Sequence, residues 1–234
     1  MLRHRVLQDE ALVKTAVYTC ITGSYDHLRK FRAASDPDVD FICFTDNQNL
    51  SYDCGNWSIR KIPEELLCFS EVKRQRLVKI LPHRFLHEYE VSLWVDGNIE
   101  ILCDVSEYLK TLDFGKYSFY TRKHPVRDCI YAEAEVVLKF KKDVPAVVCP
   151  QVDGYMKDGF PEHYGLVESG IIARRHNEGE CIILDDAWAD EVKSKSHRDQ
   201  LSFDYARWKI GTEIGFLDIG NLRNDRSFRW SRHG

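Results

Sequence analysis

The chain has 234 residues, 44% of them hydrophobic and 30% charged, with a formal net charge of −4. These figures suit one large domain with a sizeable core and a soluble surface. They argue against a protein that coats nucleic acid, whose affinity comes from neutralising phosphates. No apolar run approaches the ~18 residues of a membrane span, and the opening MLRHRVLQDE contains no apolar signal segment. A cytoplasmic protein without a transmembrane segment is therefore expected, with attachment to a membrane periphery left open. Eight cysteines stand at positions 20, 43, 54, 68, 103, 129, 149 and 181, and none forms a C-x-x-C pair. They read as small buried apolar residues of a reducing compartment, not as zinc ligands.

After an N-terminal extension over residues 1–14, TAVYTCITGSYD (15–26) predicts a buried strand that ends in a polar loop. VDFICFTDN (39–47) predicts a second buried strand with a polar end, and NWSIRKIP (56–63) alternates as a strand with one exposed face. SEVKRQRLVKILPHRFL (70–86) has helical spacing, with Ser70 as its N-cap but no capping box. SLWVDGNIEI (92–101) is strand-like, broken by Asp96-Gly97-Asn98. VSEYLKTL follows as a helix, YSFYTR as a strand and DCIYAEAEVVLKFKKD (128–143) as a helix. Residues 144–165 carry three prolines and three glycines, with Tyr155, Phe160 and Tyr164 among them, and predict a lid or an acceptor-side loop. SGIIARR (169–175) is a further strand, and DDAWADEVKS and RDQLSFDYARWK are helices. Alternating strands and helices predict a single α/β domain, 1–234, with a mainly parallel central sheet flanked by helices.

In such sheets ligands gather beyond the carboxyl ends of the strands. Three predicted strands end there in Tyr25-Asp26, Asp46-Asn47 and Asp96-Gly97-Asn98, which suggests one shared site. Asp96 and Asn98 present two oxygen donors around a glycine, as Mg²⁺ or Mn²⁺ with a diphosphate would require. The same residues also suit an ordinary hairpin turn. Lys73, Arg76 and Lys79 recur every three residues and form a cationic stripe beside Arg74. The stripe suits a phosphate clamp or a solvated helix face. Asp199 stands at a predicted helix start, either as a cap or as a general base, with Gln200 beside it to hold sugar hydroxyls. His124 and Arg127 open another helix, and Arg127 suits a phosphate or a carboxylated sugar. His83 and His87 lack the glutamate of the zinc-protease motif, and no P-loop, dinucleotide fingerprint or serine-hydrolase elbow is present.

The order of VYTCITGSYDHL, FICFTDN, KRQRLVKILPHRFL, SLWVDGNIEI, HPVRDCIYAEAE, ESGIIARRHN and RDQLSFDYARWK resembles the glycosyltransferase-like family once catalogued as domain of unknown function 616. That family includes plant mucilage-type and bacterial polysaccharide proteins, and the similarity spans about residues 15 to 210. The resemblance implies a glycosyltransferase-A fold, a nucleotide-sugar donor with UDP favoured, and Mn²⁺ or Mg²⁺. It implies that Asp96 and Asn98 hold the metal, with His233 as a third ligand from the C-terminal tail. Thr22, Gly23, Tyr25, Asp26, Asp46, Lys73, Arg74, Arg76, Asp96 and Gly97 would bind the donor. Asp199 and Gln200 would lie beneath the sugar, while His124, Arg127, Glu168 and Ser169 would face the acceptor, a glycan or a lipid-linked glycan. Asn98 in place of a second aspartate lowers the charge of the metal site. A sugar nucleotidyltransferase and a non-catalytic scaffold of the same fold are the rival readings.

Overall fold

In the computed structural model of the chain, residues 14–23, 28, 37–47 and 56–231 are described. β1 (Thr15–Ile21), β2 (Val39–Thr45) and β3 (Ser58–Lys61) are the first strands, and α1 (Glu71–Ile80) and the short α2 (Pro82–Phe85) follow. β4 (Val91–Val95), β5 (Ile99–Ile101), α3 (Val105–Lys110), β6 (Phe119–Lys123), α4 (Ile130–Lys139) and α5 (Pro145–Lys157) come next. β7 (Val167–Arg174), α6 (Gly179–Ser194), α7 (Gln200–Ile210), β8 (Gly215–Phe216) and β9 (Phe228–Trp230) complete the order.

Seven strands form one sheet in the order β3-β2-β1-β4-β7-β6-β8. β1 pairs in parallel with both β2 and β4, and only β7 runs against the other strands. The expected mainly parallel α/β sheet is thus what the chain forms. β1 is buried along its whole length because both sheet faces are covered, which is why its sequence is a nearly continuous apolar run. Ala16, Tyr18 and Cys20 join the core beneath α1, α6 and α7, while Val17 and Ile21 join the core on the other face with Leu93, Val95 and Phe228.

Three expectations are corrected. The predicted 70–86 helix divides at Pro82, because proline disfavours helical backbone at Leu81 and starts a new turn as the first residue of α2. Asp96-Gly97-Asn98 is not a hairpin turn: β4 belongs to the large sheet, whereas β5 pairs with β9 in a separate two-stranded sheet. Residues 144–165 are not mainly loop, since α5 occupies Pro145–Lys157. Pro145 fits a first-turn position that needs no N–H donor, and Pro150 lies inside the helix. Tyr155 and Phe160 are buried in a cluster with Ile130, Leu166 and Tyr205, so their rings serve as core rather than lid.

Candidate active site

A cavity of about 550 Å³ opens where β1 and β4 end and β7 begins. Because β7 is antiparallel to β4, its early residues lie beside the last residues of β4, with Val95 opposite Ile171. A bulge sharpens this approach: Thr121 of β6 faces Ile172, yet the next residue, Arg122, faces Glu168. The three intervening residues, Ser169, Gly170 and Ile171, arch away from β6 and line the cavity.

Asp96 is fixed at the end of β4 by both backbone and side chain. Its N–H donates to the Gly170 carbonyl at 2.9 Å, and its Oδ1 accepts from Trp94 Nε1 at 2.8 Å. Asp96 Oδ2 lies close to the bare Gly170 Cα: a Cβ there would meet this oxygen at 3.3 Å and Ile99 Cδ1 at 3.2 Å. The Asn98 carbonyl accepts from the N–H of Ser231 at 2.9 Å and from its hydroxyl at 3.0 Å, so the segment after β9 returns to the Asp-Gly-Asn turn.

Lys79 is the centre of the site. Its side chain is almost wholly buried, and Nζ reaches Asp199 Oδ2 at 2.7 Å, Ser169 Oγ at 2.9 Å and Asp96 Oδ1 at 3.7 Å. The Ser169 hydroxyl in turn donates a hydrogen bond to Asp199 Oδ2 at 2.9 Å. Arg76 Nε stands 3.3 Å from the other Asp199 oxygen. Burial alone would raise the Asp199 carboxyl, but Lys79 and then Arg76 and Arg198 outweigh it and hold the group well below the usual carboxylate range. Asp199 therefore makes no cap to α7 with its side chain, and its depressed basicity makes it a poor acceptor of protons.

Lys79 is held from behind by a second buried network. Arg174 and Asp185, both without solvent access, pair at 2.8 Å. The Arg174 guanidinium donates to the carbonyls of Lys79 and Ile80 at the end of α1, and the Tyr18 hydroxyl donates to the Lys79 carbonyl at 2.7 Å. A cation at these terminal carbonyls also complements the helix dipole.

Of the expected donor-site residues, Thr22, Arg76, Asp96 and Gly97 line the cavity, as do Asn98, Glu168, Ser169, Asp199 and Gln200. Glu168 is paired with Arg122, and Gln200 Nε2 donates to the Val167 carbonyl at 3.0 Å. Other expected residues have structural partners and do not line the cavity. Lys73 Nζ donates to the Lys193 carbonyl at 2.8 Å, since a three-residue step turns the side chains progressively around the helix and aims Lys73 at α6. Arg74 donates to the carbonyls of Phe69 and Leu67 and pairs with Asp46 at 3.2 Å. Asp46 Oδ1 in turn accepts from the N–H of Gly23 at 2.7 Å, where a φ of +58° favours glycine.

His124 and Arg127 organise the entry to α4. His124 Nδ1 accepts from the Arg127 N–H at 2.9 Å, and Arg127 Nε donates to buried Glu133 at 2.6 Å. Burial and then the Arg127 charge push the His124 pKa down, which keeps this ring an acceptor. Tyr25, Asp26 and His233 lie outside the described residues. Among the described residues no group of three His, Cys, Asp or Glu side chains forms a metal cluster. Sequence reasoning missed Gln75, Arg122, Lys142, His197, Arg198 and Trp230 as cavity residues; several stand beside recognised motifs, but spacing alone did not aim them inward.

The profile of the TOD1/MUCI70, glycosyltransferase-like domain matches residues 4–221. The probable hexosyltransferase MUCI70 of Arabidopsis thaliana is 29% identical over 69% of this chain and 29% of that protein. The alkaline ceramidase TOD1 of the same plant is 26% identical over 72% of this chain and 38% of that protein. The chain thus spans well under half the length of these curated relatives. Mouse xyloside xylosyltransferase 1 in its apo form superposes with a TM-score of 0.53 at 11% identity, covering 87% of this chain and 85% of that one, a likeness of fold.

Proposed function

The chain belongs to the TOD1/MUCI70 glycosyltransferase-like family, and from that premise we propose that it transfers a sugar from a nucleoside-diphosphate sugar, UDP-linked in the favoured case, to a hydroxyl of a glycan or lipid-linked glycan. In this reaction the bond between the sugar anomeric carbon and the diphosphate oxygen breaks, the acceptor oxygen bonds to that carbon, and the acceptor proton passes to the departing diphosphate oxygen. The observation that carries the reading is the convergence of Asp96, Lys79, Arg76 and Asp199 in one cavity at the strand ends.

The donor set fits a hard divalent cation. Asp96 keeps a side chain about one-third exposed, and Asn98 lines the same cavity. Asp96 and Asn98 would hold Mn²⁺ or Mg²⁺, with His233 as a further ligand from the tail. When bound, such a cation supplies positive charge to the leaving diphosphate. The protein's own contribution begins with Arg76, which presents a guanidinium to the cavity while its Nε stays near Asp199. One well-placed cationic donor of this kind is worth roughly 2–4 kcal/mol in the transition state. Asp199 holds Lys79 and Arg76 in place and balances their charge. Lys79 steadies Asp96, and Gln200 beside Asp199 meets the sugar. Glu168 and Ser169 face the acceptor side.

The test is release of UDP from a panel of UDP-sugars in Mn²⁺, with and without glycan acceptors, for the wild type and Asp96→Ala. Turnover that falls more than about a hundredfold in the variant, roughly 2.7 kcal/mol, supports the assignment. Turnover within about threefold of wild type, roughly 0.7 kcal/mol, removes Asp96 from the donor site. A folded protein that binds UDP but turns over no sugar would favour the scaffold reading.

A further inference from the structure

α4 ends in a turn that exposes both apolar and cationic side chains. Phe140 is 64% exposed and Val144 53% exposed, and Lys139, Lys141, Lys142, Pro145 and Ala146 are exposed around them. The acid within this segment is turned inward. Asp143 accepts from the Ser196 hydroxyl at 2.5 Å, from the Val144 N–H at 2.7 Å, and lies 3.2 Å from His197 Nδ1. The outer face of the turn is left with Lys139, Lys141 and an apolar tip, and Glu135 is the exposed acid one helical turn earlier.

The backbone makes the composition more telling. The Lys141 N–H donates to the Leu138 carbonyl at 3.0 Å and the Lys142 N–H to the Val137 carbonyl at 2.9 Å, the paired bonds of a Schellman cap. The residue at the left-handed position of such a cap is usually glycine, yet here it is Lys141 with φ of 53°. Lys141 thus carries a charged side chain at a position where the backbone favours glycine. Lys142, the next residue, lines the cavity, so the turn sits at the edge of the site.

We propose that the α4–α5 turn docks the protein on an anionic lipid surface, with Phe140 and Val144 entering the headgroup layer and Lys139 and Lys141 meeting lipid phosphates. Charge complementarity selects this occupant: the whole chain carries a net charge of −4, so only a local basic patch draws it to an anionic surface. An apolar tip flanked by lysines is also the composition of interfacial anchors. The proposal goes beyond the transferase reading and does not depend on the donor.

The experiment is sedimentation of the purified chain with vesicles of phosphatidylcholine alone or mixed with phosphatidylglycerol. Binding is expected to the mixed vesicles only, and to weaken as salt screens the lysines. Lys141→Gly should weaken binding about fivefold while leaving the melting temperature unchanged or higher, because glycine relieves the cap. Phe140→Ser should weaken it further, with UDP affinity unchanged in both variants. Absence of binding to the mixed vesicles, or binding that is equal in the double variant, overturns the proposal. Loss of UDP binding in the wild type would instead count against the transferase reading, so the two failures are distinguishable.

Discussion

Replacing Lys79 by methionine removes the ammonium that lies 2.7 Å from Asp199, 2.9 Å from Ser169 and 3.7 Å from Asp96. Breaking a buried pair in this way costs about 3–5 kcal/mol because the partner charge is left unmatched. Arg76 remains 3.3 Å from the carboxylate, so the lower end, about 3 kcal/mol, is expected at pH 7. Asp199 is held below its unfolded value of about 3.9, so its stabilisation is fully present above about pH 4 and is lost as pH falls through the folded value. Without Lys79, burial pushes the carboxyl upward, and the variant is penalised at neutral pH but not once the group is protonated. The stability gap between wild type and Lys79→Met should therefore narrow by about 1 kcal/mol or more from pH 7 to pH 4. Urea unfolding followed by the fluorescence of buried Trp94 and Trp188 measures the gap at each pH. The double variant Lys79→Met/Asp199→Asn should recover most of the loss at pH 7, since it removes the charge together with its partner. No recovery in the double variant at pH 7 would refute an ionised Lys79–Asp199 pair.

Gly170→Ala places a Cβ 3.3 Å from Asp96 Oδ2 and 3.2 Å from Ile99 Cδ1, so it should lower Mn²⁺-dependent UDP affinity severalfold with unchanged circular dichroism. Arg174→Met leaves Asp185 buried without its cation and should destabilise by about 3–5 kcal/mol in urea. His176 donates from Nε2 to the Leu86 carbonyl at 2.9 Å and is pushed down by burial to about 4. A base with a lowered folded pKa destabilises the fold as pH falls below its unfolded value of about 6.5, so wild-type stability should decline from there to pH 4, and His176→Gln should flatten that decline in pH-resolved urea titrations. Arg127→Ala should destabilise by about 1–3 kcal/mol through Glu133, while turnover per folded molecule stays near wild type, because neither side chain lines the cavity.

The parts of this fold that were legible are those whose signal is local. β1, β2 and β4 are buried on both faces, so their apolar runs announce them, and the polar residues that end them mark the site edge. β8 and β9 were not legible because two- and three-residue strands form only when partners supply the other edge. The prolines and glycines of 144–165 suggested a loop, yet Pro145 starts α5 and Pro150 is tolerated within it. The cationic stripe of α1 was visible, but its division was not. Lys73 reaches α6, Arg76 faces the cavity and Lys79 is buried against Asp199 and Ser169, a sorting that depends on a bulge in β7 and on the start of α7, distant in sequence. His124 and Arg127 misled for the opposite reason: polar residues at a helix entry can satisfy the backbone as readily as a ligand.

Calorimetric titration of the purified chain with UDP, in Mn²⁺ and again in excess chelator, addresses the donor site most directly. Binding that depends on the metal and is lost in Asp96→Ala is the expected result. Equal UDP affinity with and without metal, or with and without the Asp96 carboxylate, would contradict it and move the diphosphate onto Arg76 and its basic neighbours.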